Sequence, residues 1–232
     1  MIKQFSFFCV AFTLSLPIAS AEFFVQDLVN GSGNLPIPGN QAWTGQLGDD
    51  FVTGANPLAI SRIGVFDSNG NGTTSVLTWN LYTVSDGALV TSIDVPVSAA
   101  TGGSGIESNY IWLPANIILS ANTAYSVVAV GFNGDVNNPF SDLNFNTNMN
   151  LSTLDVDFTA LGLTAAGGRY SASGVTTGLP TVDVGNTVST QLYNFGAATF
   201  DFTATPEPTT LVVWSGLAAI GGFVAYRRRT AA

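Results

Sequence analysis

Histidine is absent from this chain of 232 residues, and its single cysteine, Cys9, lies near the N-terminus. A serine nucleophile activated by histidine is therefore excluded, and so is a tetrahedral zinc site of histidine and cysteine. Lysine occurs only as Lys3, which excludes a Ser-Lys dyad in the rest of the chain. These absences remove several common classes of hydrolase.

Charge is also scarce, because charged residues form 9% of the chain and six basic residues face fifteen acidic ones. Four of the basic residues stand at the two ends, which leaves Arg62 and Arg169 as the basic residues between them. A negative field of this kind repels phosphate backbones, so we expect no binding to nucleic acid. An acidic surface instead suits contact with cations or with neutral sugars.

The N-terminal residues 1–21 have the three-part form of a secretory signal. Lys3 provides a positive start, and residues 5–16 form an apolar core. Ala19 and Ala21 are small residues of the kind that signal peptidase accepts. We therefore expect cleavage after Ala21 and export of the remaining chain. A buried N-terminal helix is the alternative.

The C-terminal tail, residues 205–232, contains an apolar run at 209–226. Eighteen residues in a helix span about 27 Å, close to the ~30 Å hydrocarbon core of a membrane. Arg227, Arg228 and Arg229 follow at once, and the positive-inside rule places them in the cytoplasm. The pattern predicts one transmembrane helix with the preceding domain outside the cell.

The order of features in this tail resembles the PEP-CTERM sorting signal of exported bacterial proteins. Pro206, Glu207 and Pro208 match the motif, and the apolar run and the three arginines match the parts that follow it. The resemblance implies processing by exosortase, a membrane transpeptidase that reads these residues, and a place in the envelope or biofilm matrix of bacteria that make exopolysaccharide. The alternative is a plain tail anchor after a proline-rich linker.

Residues 22–204, between the two ends, form the predicted ectodomain. Short segments with β-branched and aromatic residues alternate with turn signals such as Asp86-Gly87, which predicts a two-residue hairpin. The predicted strands include 58–66, 75–84, 88–95, 123–132 and 197–203. The pattern favours a mostly β fold, an antiparallel β-sandwich, with a closed barrel as the alternative.

Within the ectodomain, residues 48–132 resemble a β-sandwich that often precedes PEP-CTERM tails, through the segments 60–67, 79–82 and 119–127. The resemblance implies a jelly-roll-like fold and no established activity. We also expect residues 23–29 to pair with residues 197–203, because the ends of a domain tend to lie together.

One loop has a pattern typical of calcium sites. Asp67, Asn69 and Asn71 place oxygen atoms at alternate positions and Gly72 is sixth, as in the first half of an EF-hand loop. The match stops there, because Thr78 stands where a bidentate glutamate is expected. Weak calcium binding and a plain hairpin loop of glycine and asparagine are the two interpretations. We expect no other cofactor.

Flat aromatic rings are the other candidate binding groups, because they stack on the apolar faces of sugars. Trp43 lies in a loop rich in glycine, proline and asparagine, and we expect it to be exposed. The remaining candidates are expected to pack mostly in the core or at strand edges: Trp79, Trp112, Tyr82, Tyr110 and Tyr125.

These observations predict a non-enzymatic envelope or matrix protein whose ectodomain contacts polysaccharide or neighbouring envelope proteins. A carboxylate-dependent glycan hydrolase and a tail-anchored spacer are the alternatives. Asp155 and Asp157 are two positions apart, or about 7 Å along a strand, a separation that does not by itself exclude a catalytic pair. We expect these acids, and likewise Asp49 and Asp50, to face solvent.

Overall fold

The computed structural model describes residues 22–23, 43–67, 70–99, 110–135, 147–150, 162–183, 191–194 and 196–204. Their strands are β1 (Glu22–Phe23), β2 (Leu47–Thr53), β3 (Leu58–Phe66), β4 (Leu77–Thr83), β5 (Leu89–Val95), β6 (Tyr110–Leu119), β7 (Ala124–Val130), β8 (Thr147–Asn150), β9 (Leu163–Tyr170), β10 (Val182–Asp183), β11 (Gln191–Asn194) and β12 (Ala198–Ala204). A 3₁₀ turn, Phe132–Gly134, follows β7.

The described strands form two main antiparallel sheets. One has four strands in the order β1-β12-β3-β6, and the other has six in the order β10-β9-β2-β7-β4-β5. β8 and β11 form a separate pair. The mostly β, antiparallel prediction is confirmed, and the two facing sheets are consistent with a β-sandwich.

The predicted strand positions agree with the observed ones to within about two residues in β3, β4, β5, β7 and β12. Residues 22–23, where the predicted ectodomain begins, pair with its last strand, since Glu22 lies opposite Phe202 and Phe23 opposite Asp201. The rest of the predicted pairing segment, residues 24–29, lies outside the described ranges. Within the described ranges, no helix has the length and hydropathy needed to cross a membrane. The predicted signal and the predicted tail helix lie outside those ranges.

Aromatic side chains join the two sheets in one core. Phe51 of β2 and Phe200 of β12 have ring centroids 5.0 Å apart. Trp79 of β4 is fully buried, and its Nε1 donates a hydrogen bond of 3.0 Å to the carbonyl oxygen of Thr199 in the other sheet. Burial of one large apolar side chain contributes about 1.5–3 kcal/mol, so these contacts hold the sheets together and fix their relative position.

β4 and β5 form the predicted hairpin, but its loop is longer than predicted. The turn does lie at Asp86-Gly87, but residues 84–88 separate the strands, so the loop is longer than two residues. Asp86 Oδ1 accepts hydrogen bonds from the backbone N–H of Ala88, at 3.1 Å, and from the Thr83 hydroxyl. The aspartate therefore organises a wider turn by its side chain, which the residue pair alone did not predict.

The prediction that Asp49 and Asp50 face solvent is wrong, because both are buried. Alternate residues of β2 point to opposite faces, so Asp49 lies on the core side and Asp50 on the outer side of the six-stranded sheet. Arg169 of β9 holds Asp50 through bonds of 2.8 Å from Nε and 2.5 Å from Nη2. The sequence prediction failed because it did not pair this acid with an arginine 119 positions away.

Candidate functional site

Three side chains of different strands meet on the outer face of the four-stranded sheet. Arg62 lies on β3, directly opposite Asp201 of β12 on one side and Pro114 of β6 on the other. Two residues along, Gly64 is opposite Trp112. Strand alternation places these residues on the face that points away from the core.

Arg62 contacts side chains of both neighbouring strands there. Its Cζ atom lies 4.1 Å from the ring centroid of Trp112, and its Nε donates a hydrogen bond to Asp201 Oδ2. The Arg62 side chain is 37% exposed, and that of Asp201 is 9% exposed. The guanidinium is therefore held by a cation–π contact and an ion pair while part of it still faces solvent.

A glycine makes room for the indole ring. A Cβ atom at Gly64 would lie 3.1 Å from two ring atoms of Trp112 and 2.7 Å from Cγ2 of Thr199. Any larger residue would have to displace the ring or the threonine. Gly64 thus lets Trp112 lie close against the sheet.

An irregularity of the sheet shapes the same place. Between Arg62 and Ile60 of β3, the register shifts against both β12 and β6. Against β12, Ser61 is the additional residue, and it is exposed. Such bulges re-aim side chains and are frequent beside binding sites.

The result is an open, shallow depression of about 460 Å³. Its lining combines an aromatic ring, aliphatic groups, a hydroxyl and a charged pair from Ser61, Arg62, Trp112, Leu113, Pro114 and Asp201. A sugar presents an apolar ring face and hydroxyl groups at its edges, and this lining offers partners for both. We call these six residues the Arg62–Trp112 depression.

Trp43, the sugar-stacking residue chosen from the sequence, lies elsewhere and is half-buried. Its Nε1 donates a hydrogen bond of 3.1 Å to the Ser171 carbonyl oxygen, and its ring meets Tyr170 edge-on at 6.2 Å. The ring is therefore packed against the chain that follows β9. Trp43 and the Arg62–Trp112 depression share no described contact.

Asp67, the first residue of the calcium-like loop, is fully buried. Its Oδ2 accepts a hydrogen bond of 3.0 Å from Gly72 N–H. Burial raises the pKa of Asp67, and the charge of Asp135 raises it further, although the Gly72 bond acts in the opposite direction. Asn71 is exposed, and Asn69 lies outside the described residues.

Asp135, which the sequence did not single out, is the second acid at this loop. Its Oδ1 accepts hydrogen bonds of 3.0 Å from both the backbone N–H and the hydroxyl of Thr74. Among the residues that the structure describes, no group of three or more acidic, cysteine or histidine side chains is arranged for a metal ion. The observed bonds of both aspartates organise the loop.

Four of the other aromatic candidates are buried, and all but Tyr82 belong to the hydrophobic core: Trp79, Tyr82, Tyr110 and Tyr125. Trp112 is half-buried and belongs to the depression. The sequence prediction missed Arg62, Asp201 and Gly64 as its partners. The available signal was alternation, since Arg62 and Gly64 interrupt the apolar β3 at positions of the same face.

We compared the chain with known protein families and with curated proteins. No protein-family model matches the chain, and no curated protein matches it. Pro206, Glu207, Pro208, Arg227, Arg228 and Arg229, with Ala19, Ala21, Asp155 and Asp157, lie outside the described residues.

Proposed function

We propose that this protein is an exported envelope or matrix component whose ectodomain binds neutral polysaccharide at the Arg62–Trp112 depression. The observation that carries the binding proposal is the combination of a half-buried indole ring, an arginine and a carboxylate on one face of a sheet. Export and sorting rest on the sequence, through the predicted signal at 1–21 and the PEP-CTERM-like tail at 205–232.

The ectodomain is, in this proposal, a jelly roll. The strand orders support it, because β1-β12-β3-β6 and β2-β7-β4-β5 are the two four-stranded sheets that a jelly roll of two Greek keys would have. β9 and β10 then extend the second sheet beyond β2. The depression lies on the outer face of the first sheet, where no described strand covers it.

The charges of the depression and of the whole chain favour a neutral ligand. Arg62 is the basic residue of the depression, and Asp201 neutralises it at contact distance. The chain as a whole has a net charge of −9, which disfavours acidic polymers at low salt. Hydroxyl groups of a neutral sugar can accept from the guanidinium, donate to the carboxylate and leave the ring face for Trp112.

A binding role is favoured over glycan hydrolysis by the same lining. Glycosidases use two carboxyl groups on opposite sides of the scissile bond, about 5–10 Å apart. Of the described residues that line the depression, Asp201 is the carboxylic acid, and it is bonded to Arg62. Its ion pair suits a fixed polar contact better than proton transfer.

Binding is tested by co-sedimentation of the full chain with insoluble neutral and acidic polysaccharides. We expect Trp112→Ala to reduce binding to the neutral polymer by roughly 5- to 150-fold, since one stacking contact contributes about 1–3 kcal/mol. Trp43→Ala is the matched control and leaves binding unchanged. Equal loss in both variants, or none in Trp112→Ala, would contradict the proposed site.

Sorting is tested separately by the intact mass and cellular fraction of the protein from its host. A mass that ends near Pro206, Glu207 or Pro208, without the arginines, supports exosortase processing. A membrane-bound protein that keeps Arg229 would contradict it and identify a plain tail anchor.

A further inference from the structure

The outer edge of β5 is open in the described structure. β5 pairs with β4 on one side, and no described residue pairs with the other side. An edge strand presents backbone N–H and C=O groups on which another extended chain can pair. This edge is therefore a surface on which the sheet could continue.

Exposed apolar side chains concentrate along this edge. Leu89 and Val90 of β5 are exposed, and so is Val97, two residues after it. These are three of the seven large apolar side chains exposed in the described part of the chain. Such a concentration indicates a surface that another protein covers.

The features that prevent sheets from joining lie mostly at the two ends of this edge. Lysine is absent from residues 88–97, and Asp94 is their single charged residue. A register shift opposite Leu81 and Tyr82 makes Val90 an additional residue, and Pro96 follows the strand. Between these two interruptions, residues 91–95 pair regularly with β4 and leave five residues of straight edge.

We propose that this edge pairs with the same edge of a second copy of the chain, antiparallel and with the two-fold axis at Ile93. This register uses all five regular residues. On the core side it places Thr91 opposite Val95 and Ile93 opposite its equivalent. On the outer side it places the Ser92 hydroxyl opposite the Asp94 carboxylate.

A second copy fits better than an unrelated partner for two reasons. A two-fold interface requires a self-complementary surface, and residues 91–95 match themselves in face and polarity. Two copies of an acidic chain also repel each other over most of their surfaces, whereas this edge is poor in charge. Continued beyond the regular residues, the same register brings exposed Leu89 near Val97 of the second copy.

The pairing would join two six-stranded sheets into one continuous sheet across the dimer. The Arg62–Trp112 depression lies on the other sheet, so each copy keeps its own depression open. Two sites per assembly would raise the apparent affinity for a polymer that reaches both. Dimerisation itself does not require polysaccharide binding.

The test is sedimentation velocity of the full chain in non-ionic detergent over a range of concentrations. We expect a concentration-dependent dimer for the natural sequence. Ser92→Asp places a carboxylate opposite Asp94 of the second copy, twice by symmetry, and should raise the dimer dissociation constant by about tenfold or more. Ser92→Lys places opposite charges together and should leave it unchanged or lower it.

Val175→Asp is the matched control, because it adds the same charge at an exposed valine in the segment after β9. It should leave the dissociation constant unchanged. A monomeric natural chain at the highest concentration overturns the proposal, even if a different protein occupies the edge. An equal response to Ser92→Asp and Ser92→Lys also overturns it, because the register requires opposite responses.

Discussion

Arg62 and Arg169 are the same residue type on the two main sheets, but their surroundings differ. Arg62 keeps more than a third of its side chain in solvent, whereas those of Arg169 and Asp50 are 9% and 8% exposed. Arg169 also donates to the Pro180 carbonyl oxygen at 3.1 Å. Arg62 is thus partly exposed to solvent, whereas Arg169 holds the chain after β9 against the sheet.

Removal of Arg169 should destabilise the fold strongly. Arg169→Met leaves Asp50 as an uncompensated buried carboxylate, and we expect a loss of about 3–5 kcal/mol in the free energy of unfolding. Urea unfolding measures it.

The matched control is the double variant Asp50→Asn with Arg169→Met, which removes both charges. It should cost much less than the sum of the two single changes, because neither charge remains unpaired. Additive costs would contradict a direct pairing of the two side chains.

Asp67 should give stability a distinct dependence on pH. Burial raises its pKa in the folded protein above the ordinary value of 3.8, so folding favours the protonated form. The contribution of Asp67 to the free energy of unfolding is therefore fully present below pH 3.8, and it is lost as the pH rises through the pKa of the folded state.

The measurement is the free energy of unfolding of the natural chain minus that of Asp67→Asn, from urea titrations at pH 3 and pH 7. This difference should be smaller at pH 7, because only the natural chain has to bury the charge. A difference that grows with pH would mean that hydrogen bonds to the carboxylate outweigh its burial.

At the scale of the elements, alternation predicted strands such as β3, β4 and β12 well, because their inward faces are apolar whatever strands they pair with. The same reasoning explains why Arg62 and Gly64 of β3 point outwards. The register shift at Ser61 was not predictable, since it depends on how β12 and β6 pair with β3. The depression was therefore missed although its residues were visible in the sequence.

The turn between β4 and β5 allows a clean test of backbone conformation. Gly87 has φ +67°, a left-handed value, but the nearest atom to an added Cβ would be Leu179 Cβ at an ordinary 3.5 Å. Gly87→Ala should therefore cost about 1–2 kcal/mol from conformation alone. Thermal or urea unfolding measures it.

Gly87→Asn provides the control, since asparagine adopts the left-handed region more readily than alanine. We expect it to be the milder change of the two. If the larger asparagine cost more, crowding against Leu179 would be the cause and the conformational account would be wrong.

At the scale of the whole molecule, the sequence predicted the fold class but not the sheet order. Turn signals and alternation indicate strands, whereas the position of β12 between β1 and β3 depends on contacts between residues far apart in the chain. The two ends of the ectodomain were expected to meet, and Glu22 and Phe23 do pair with β12. The buried Asp50–Arg169 pair could not be predicted for the same reason, because the numbers of acidic and basic residues do not indicate which of them lie together in the fold.

The prediction that Trp43 rather than Trp112 is the exposed tryptophan was likewise based on local sequence alone. A loop rich in glycine and proline suggested exposure, but Trp43 is bonded to Ser171 on a segment 128 residues away. Trp112 stands in an apolar strand and was expected to pack, yet its strand is the edge of the four-stranded sheet and Gly64 opens space beside it. Local composition therefore could not rank the two rings.

Contact between Trp112 and a neutral sugar is tested by the indole N–H signals in a ¹H–¹⁵N spectrum of the full chain. Each of the four tryptophans contributes one such signal, which single Trp→Phe variants assign. In a titration with a neutral oligosaccharide, we expect the Trp112 signal to shift with a saturable dependence while the buried Trp79 signal stays in place. If the Trp112 signal does not move while that of Trp43, or of Trp214 in the predicted tail helix, does, the sugar binds elsewhere and the proposed site is wrong.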